Sequence, residues 1–179
     1  MTLEQLAKQG RRTETFTTAA TISSNIFQAR KANVRNCFVD CEHIKHRNEV
    51  VETRNGVSFI DDSGARSITA TYFTLSETTA PTIWLTIGGC EDYDELIPVV
   101  RQCVVAIVCI GGDYENVNRS FGGVVRGGVR NAESMEEAMK IIETMTVSGQ
   151  NVIFSPAAKS VEMNDDVLAS EFVKLARNN

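Results

Sequence analysis

The residues best suited to chemistry fall in a few short clusters. Asp61 and Asp62 sit in GVSFIDDSGARS, where a strand-like run meets an acidic turn before a helix-compatible segment. A strand that delivers carboxylates to the start of a helix can hold a ligand. Together with Glu91, Asp92 and Asp113, these aspartates could supply oxygen ligands for a divalent cation; a solvated acidic rim is the plainer reading and is adopted. CFVDCEHIKHR gathers Cys37, Cys41, His43 and His46, ligand types that suit zinc. Their C-x3-C-x-H-x2-H spacing is not that of a usual finger, and Cys37 and Cys41 lie one helical turn apart. Buried thiols are therefore expected and no metal site is assigned. Cys90 follows Gly-Gly at a strand end near a helix start, a setting that favours a thiolate. The histidines at 43 and 46 are remote in sequence, however, and the acidic residues Glu91, Asp92 and Asp94 would raise the thiol pKa. No catalytic residue is assigned.

The chain that must position these groups has 179 residues, 42% hydrophobic and 23% charged, which suits one globular domain with a sizeable core. Its net charge of −5 provides no cationic field for nucleic acid or an anionic membrane surface. Apolar runs such as VVAIVCIGG reach only strand length, and MTLEQLAKQGRRTETF lacks the apolar centre of a signal peptide. A cytoplasmic protein is expected, one that binds neither nucleic acid nor membrane. Five cysteines, an odd number, fit reduced thiols and not a secreted disulfide framework.

Residues 1–16 are polar and read as a tail. TTAATISSNIFQARKANVRNCF spaces Ile22, Ile26, Ala29 and Val34 about one turn apart and predicts helical pieces. EVVETRNGVSFIDD predicts two strands joined at Asn55–Gly56, because both turn positions tolerate positive φ. Beyond residue 64 strands and helices alternate. A helix over 66–78 precedes the strand PTIWLTIGG, a helix on DYDELIPVVRQC, the strand VVAIVCIGG and a short helix on YENVNRSFG. GGVVRGGVR lacks the order of a dinucleotide-binding glycine turn and reads as a loop around a weak edge strand. SMEE predicts a capping box between Ser134 and Glu137, opening a helix with Met135, Ala138, Ile141, Ile142 and Met145 on its apolar face. QNVIFSPA is the last strand and DDVLASEFVKLARNN the last helix. Near-continuous apolar strands separated by helices imply an α/β fold: a mainly parallel, Rossmann-like sheet with helices on both faces, preceded by a β-hairpin and an N-terminal helix. Ligands of such sheets lie at the carboxyl ends of the strands. Those ends read DDSGARS, GGCED, GGDYEN and SPAAKS.

In this order, His46–Arg47, NGVSFIDDS, TAPTIWLTIGG, AIVCIGGD, SMEEAMKI and VIFSPAAKS resemble the C-terminal third of Mur ligases, in particular the D-glutamate-adding branch, over residues 19–165. The resemblance implies that residues 17–179 form one Mur-ligase C-terminal-like domain, with 17–40 a helical remnant of the preceding domain. The family makes an acyl phosphate from ATP and joins an amino acid to it, using three domains, of which the C-terminal one receives the amino acid. By resemblance, His46, Arg47 and Asp62 retain nucleotide contacts, and Ser160 lies near the substrate side-chain carboxylate. Other positions depart from the family pattern. Asp-Ser-Lys-Ala-Thr-Asn is here Asp62-Ser63-Gly64-Ala65-Arg66-Ser67, so the lysine is glycine and the threonine arginine. Gly-Gly-x-Asp-Lys-Gly is here the shorter, acidic GGCEDYDEL, and the Asp/Glu-Arg-Gly after SPAAKS is missing. The G-x-x-x-x-G-K-[ST] phosphate loop does not occur in these 179 residues.

The expectation is thus a stand-alone, degenerate domain that is not an enzyme by itself. It would serve as a binding or structural module with a protein partner or as a homo-oligomer, and would use no cofactor, ATP being implied only by the family. The alternative is a separated half of an ATP-dependent peptidoglycan-type ligase working in trans. Asp62 and Ser63 could instead simply cap the helix expected from residue 65, and Arg47 could pair with an acid.

Overall fold

The structure, a computed structural model, describes residues 46–90, 92–158 and 165–178. The expected tail, the helix of 17–40, Cys37, Cys41, His43, Glu91 and Ser160 lie outside the described residues.

Six strands form one mixed sheet in the order β1-β2-β6-β3-β4-β5. β1 (Glu49–Arg54) and β2 (Val57–Asp61) pair antiparallel, and β2 to β6 run parallel. The hairpin between β1 and β2 turns on Asn55 and Gly56, at φ 54° and 77°, the left-handed pair this tight turn requires. The hairpin does not stand apart from the sheet, since its second strand is already the first parallel one. β1 is an edge strand with a bulge between Val50 and Glu52. Glu49, Glu52 and Arg54 add charge to an edge that would otherwise invite pairing.

α1 (Ile68–Glu77) joins β2 to β3 (Thr82–Thr86), and a 3₁₀ turn at Asp94–Leu96 leads into α2 (Ile97–Cys103) and β4 (Val104–Ile110). α3 (Tyr114–Phe121), β5 (Val129–Ala132), α4 (Met135–Met145), β6 (Asn151–Phe154) and α5 (Asp165–Asn178) complete the order. Alternate residues of each buried strand face opposite layers. Leu85, Val108 and Phe154 pack under α4 and α5 with Met135, Met139, Ile142 and Phe172. Trp84, Ile107 and Ile153 pack under α1, α2 and α3 with Leu75, Val100, Val117 and Phe121. Trp84 and Tyr93 both meet the Phe121 ring edge-on, at centroid distances of 5.5 and 5.4 Å. Each apolar strand thus serves two cores at once, which is why its sequence shows little alternation.

Three local expectations need correction. α1 begins at Ile68, not near 65, because Ser67 is extended and accepts from the Ala70 N–H; Asp62 and Ser63 do not cap it. The edge strand β5 begins only at Val129, after the last glycine of the stretch GGVVRGGVR, and runs on to Ala132. Gly127 lies so close to β4 that a Cβ there would meet Ala106 Cβ at 2.8 Å and the Val105 carbonyl at 2.9 Å. At α4, Ser134 Oγ accepts from the Glu137 N–H, but the Glu137 carboxylate accepts from the N–H of Glu133, one residue further back than a capping box requires. No helix among the described residues is long and apolar enough to cross a membrane.

Candidate functional site

β6 is followed by a helix on one face of the sheet, whereas its neighbours β2 and β3 are followed by helices on the other. The crevices beside β6 at the carboxyl edge are therefore where such a sheet holds ligands. Two polar networks lie at this edge, the first of them in the crevice between β2 and β6.

In the first, His46 and Arg47 precede β1 and fold back over the end of β2. His46, at φ 67°, places Nδ1 2.6 Å from Asp61 Oδ2, with the ring N–H donating to the carboxylate. Arg47 Nε lies 3.1 Å from Asp62 Oδ1 as an ion pair, and that oxygen accepts a hydrogen bond from the Asn48 N–H. Asp62 Oδ2 accepts from Ser155 Oγ at 2.9 Å, and Ser155 Oγ accepts in turn from Thr71 Oγ1 at 2.8 Å. A chain of polar contacts thus runs from α1 through the end of β6 to β2. Burial of Asp62, which has no exposed surface, raises its pKa to about 6 against the opposing pull of the Arg47 guanidinium.

Gly64 completes this network by having no side chain. A Cβ there would stand 2.8 Å from Arg47 Cδ and 2.9 Å from the His46 carbonyl, which accepts from the Gly64 N–H. The space of the resemblance's lysine is filled by the His46–Arg47 turn. Ala157, at φ 66°, donates its N–H to the Ala65 carbonyl and ties the end of β6 to the same turn.

The second network joins the ends of β3 and β4. Asp113 Oδ2 accepts from the Gly89 N–H at 2.6 Å and from Tyr93 Oη at 2.9 Å. Gly88, at φ 72°, is closed against this carboxylate, since a Cβ would lie 2.6 Å from Asp113 Cβ. Burial, foremost, and the neighbouring Asp113 push the Tyr93 hydroxyl far above its ordinary range, so it remains a donor at any working pH. The Cys90 thiol donates to the Ala157 carbonyl, and burial raises its pKa, opposed by the neighbouring Tyr93 hydroxyl and reinforced by Asp113. Burial thus disfavours the Cys90 thiolate, and it outweighs the acidic neighbours invoked from the sequence. Burial likewise pushes Cys109 up to about 12 and Cys103 up to about 11.

Among the described residues, the aspartates considered for a cation do not converge. Asp61 and Asp62 face His46 and Arg47, Asp113 faces Gly89 and Tyr93, and the described residues include no group of three or more potential metal ligands. His46, from the candidate zinc cluster, is engaged with Asp61. The residues assigned nucleotide contacts by resemblance, His46, Arg47 and Asp62, meet at one place; Ser160, assigned to the substrate side-chain carboxylate, lies outside the described residues. Sequence reasoning missed Ser155 and Thr71, the hydroxyls that hold Asp62. The only signal for Ser155 was its place just after a buried strand.

No family model matches the chain. The UDP-N-acetylmuramoylalanine--D-glutamate ligase of Christiangramia forsetii is 32% identical over 183 residues, which cover 99% of this chain and 41% of that relative. The corresponding ligase of Salinibacter ruber is 31% identical over 169 residues, 93% of this chain and 36% of that protein. The chain therefore spans about two-fifths of the length of the curated relatives it matches. A crystal structure of a murein peptide ligase from Psychrobacter arcticus superposes with a TM-score of 0.53 over 76% of this chain and 31% of its own, at 16% identity, a likeness of fold. Sequence and architecture together identify the chain as a Mur ligase C-terminal-type domain.

Proposed function

We propose that this domain is a non-catalytic binding or structural module of a larger cytoplasmic assembly, its carboxyl-edge crevice closed by its own side chains. The observation that carries the reading is the His46–Arg47 turn seated on Asp61, Asp62 and Gly64. Transfer of a phosphoryl group depends on positioning and on cationic or amide groups free to meet phosphate charge. Arg47 is committed to Asp62, Asp62 has no exposed surface, and a lysine cannot enter at position 64 without displacing the turn. On the β3 side, the Gly89 amide is already taken by Asp113. The protein is expected to act through a surface that meets a partner chain or a second copy.

The test is ATP turnover by the purified chain with D-glutamate and an acyl-bearing UDP precursor. No ADP release is expected, and sustained, amino-acid-dependent release would refute the proposal. A second reading, a half-enzyme completed in trans, is favoured by the joint presence of His46, Arg47 and Asp62 at one strand end, where the resemblance puts nucleotide contacts. It predicts that ADP release appears only when a Mur-type ATP-binding partner is added.

A further inference from the structure

We propose a second site, at the opposite, amino edge of the sheet, that takes a small ligand with an apolar body and an oxyanionic head. A cleft of about 700 Å³ opens there between the C-terminal ends of α1 and α2, the starts of β3 and β4 and the turn before β5. That volume falls within the usual span of small-molecule sites, on the order of 300–1,000 Å³. The lining includes Arg101 and Arg126 and no carboxylate, in a chain whose net charge is −5.

Among the described residues neither arginine has a hydrogen-bond or ion-pair partner; the same holds of the exposed Arg119 and Arg130, but Arg101 and Arg126 line one cleft. A planar guanidinium fork matches carboxylate or phosphate oxygens, and two forks on one cleft define where the charged head sits. Thr78 adds a donor. Its oxygen accepts from Asn151 Nδ2 at 3.0 Å, which leaves the hydroxyl hydrogen free to point at a ligand. Pro81, Val104 and Val124 supply an apolar wall for the ligand's body. Arg101 also lies in the last turn of α2, where a cation complements the helix dipole. Arg126 lies in a turn, exposed, and has no such structural duty.

The site is tested by titrating the isotope-labelled full chain with phenyl phosphate, phenylacetate and benzyl alcohol while following backbone amides by NMR. Saturable shifts are expected at residues 76–80, 101–105 and 124–126 with at least one of the two anions and not with the alcohol; which anion saturates fixes the head-group class. Arg126→Gln, whose exposed turn position leaves folding intact, should weaken binding at least about tenfold, and Arg126→Lys less, since it keeps the charge and loses the fork. Arg101→Gln with Arg126→Gln should abolish it. Absence of saturation with both anions, equal shifts with the alcohol, or unchanged affinity in Arg126→Gln would overturn the site. None of these outcomes bears on ATP turnover at the carboxyl edge.

Discussion

At the end of β2 the carboxylates Asp61 and Asp62 are paired with His46 and Arg47, whereas at the amino edge Arg101 and Arg126 stand unpaired among the described residues. The two edges belong to the same strands and share the same cores. The difference lies in the loops. At the carboxyl edge, chain remote in sequence folds back to satisfy what β2 presents: Arg47 reaches Asp62 across 15 residues, and Ser155 reaches it across 93. At the amino edge, short turns bring arginines together with no acid to meet them. On the proposed reading, the edge at which such a fold holds ligands is here turned inward, and the open polar chemistry lies on the other side.

The largest effect should come from removing the cation that offsets Asp62. Arg47→Ala leaves a carboxylate with no exposed surface and no ion-pair partner, and should lower stability by about 3–5 kcal/mol, read from the urea midpoint at pH 7. Should the loss be only a few tenths, the edge is not closed and the contrast between the edges fails.

Next is the pH dependence. The folded-state pKa of Asp62, about 6, lies above its ordinary 3.8. Between these values the native state binds more proton than the unfolded state, so this group's share of stability falls as pH rises from about 4 to about 6 and is flat above. The change amounts to roughly 3 kcal/mol at 1.4 kcal/mol per pKa unit. Asp62→Asn should remove that limb from the stability profile; an identical limb in the variant would assign it to another group.

Reintroducing the lysine of the resemblance sharpens the comparison at one residue. Gly64→Lys should cost about 1–3 kcal/mol by overpacking against Arg47 and the His46 carbonyl. Combined with Arg47→Ala, it should cost less than the sum of the two single changes, because the residues share one space. Strict additivity in that double-mutant cycle would mean they do not. The smallest effect belongs to the local cap: Ser67→Ala should lower stability by about 1 kcal/mol with no change at either edge.

These residues also show what sequence can carry. The order and type of elements were legible because VVAIVCI and TIWLT are apolar throughout and sit between amphipathic segments, a pattern only a two-sided sheet uses. Asn55–Gly56 and Ser134 announced their turn and cap locally. Helix starts were less certain, as Asp62, Ser63 and Ser67 are all competent caps and only the path of the turn selects Ser67. Asp62 could be named a site residue from its place at a strand end. That it would be buried under Arg47, with Ser155 and Thr71 behind it, could not be read, because those contacts join segments that only the folded sheet brings together. Gly64 is the clearest case: the sequence showed that a lysine was missing, and the structure shows that its space is filled.

The claim that the carboxyl edge is closed by its own side chains is tested most directly at the Arg47 guanidinium. Its Nε–H resonance, followed in the labelled protein as ADP is added to millimolar concentration, should not move, and its protection from solvent exchange should persist while Asp62 holds it. A saturable shift with loss of that protection would show the nucleotide displacing Asp62 from Arg47, and would contradict the account.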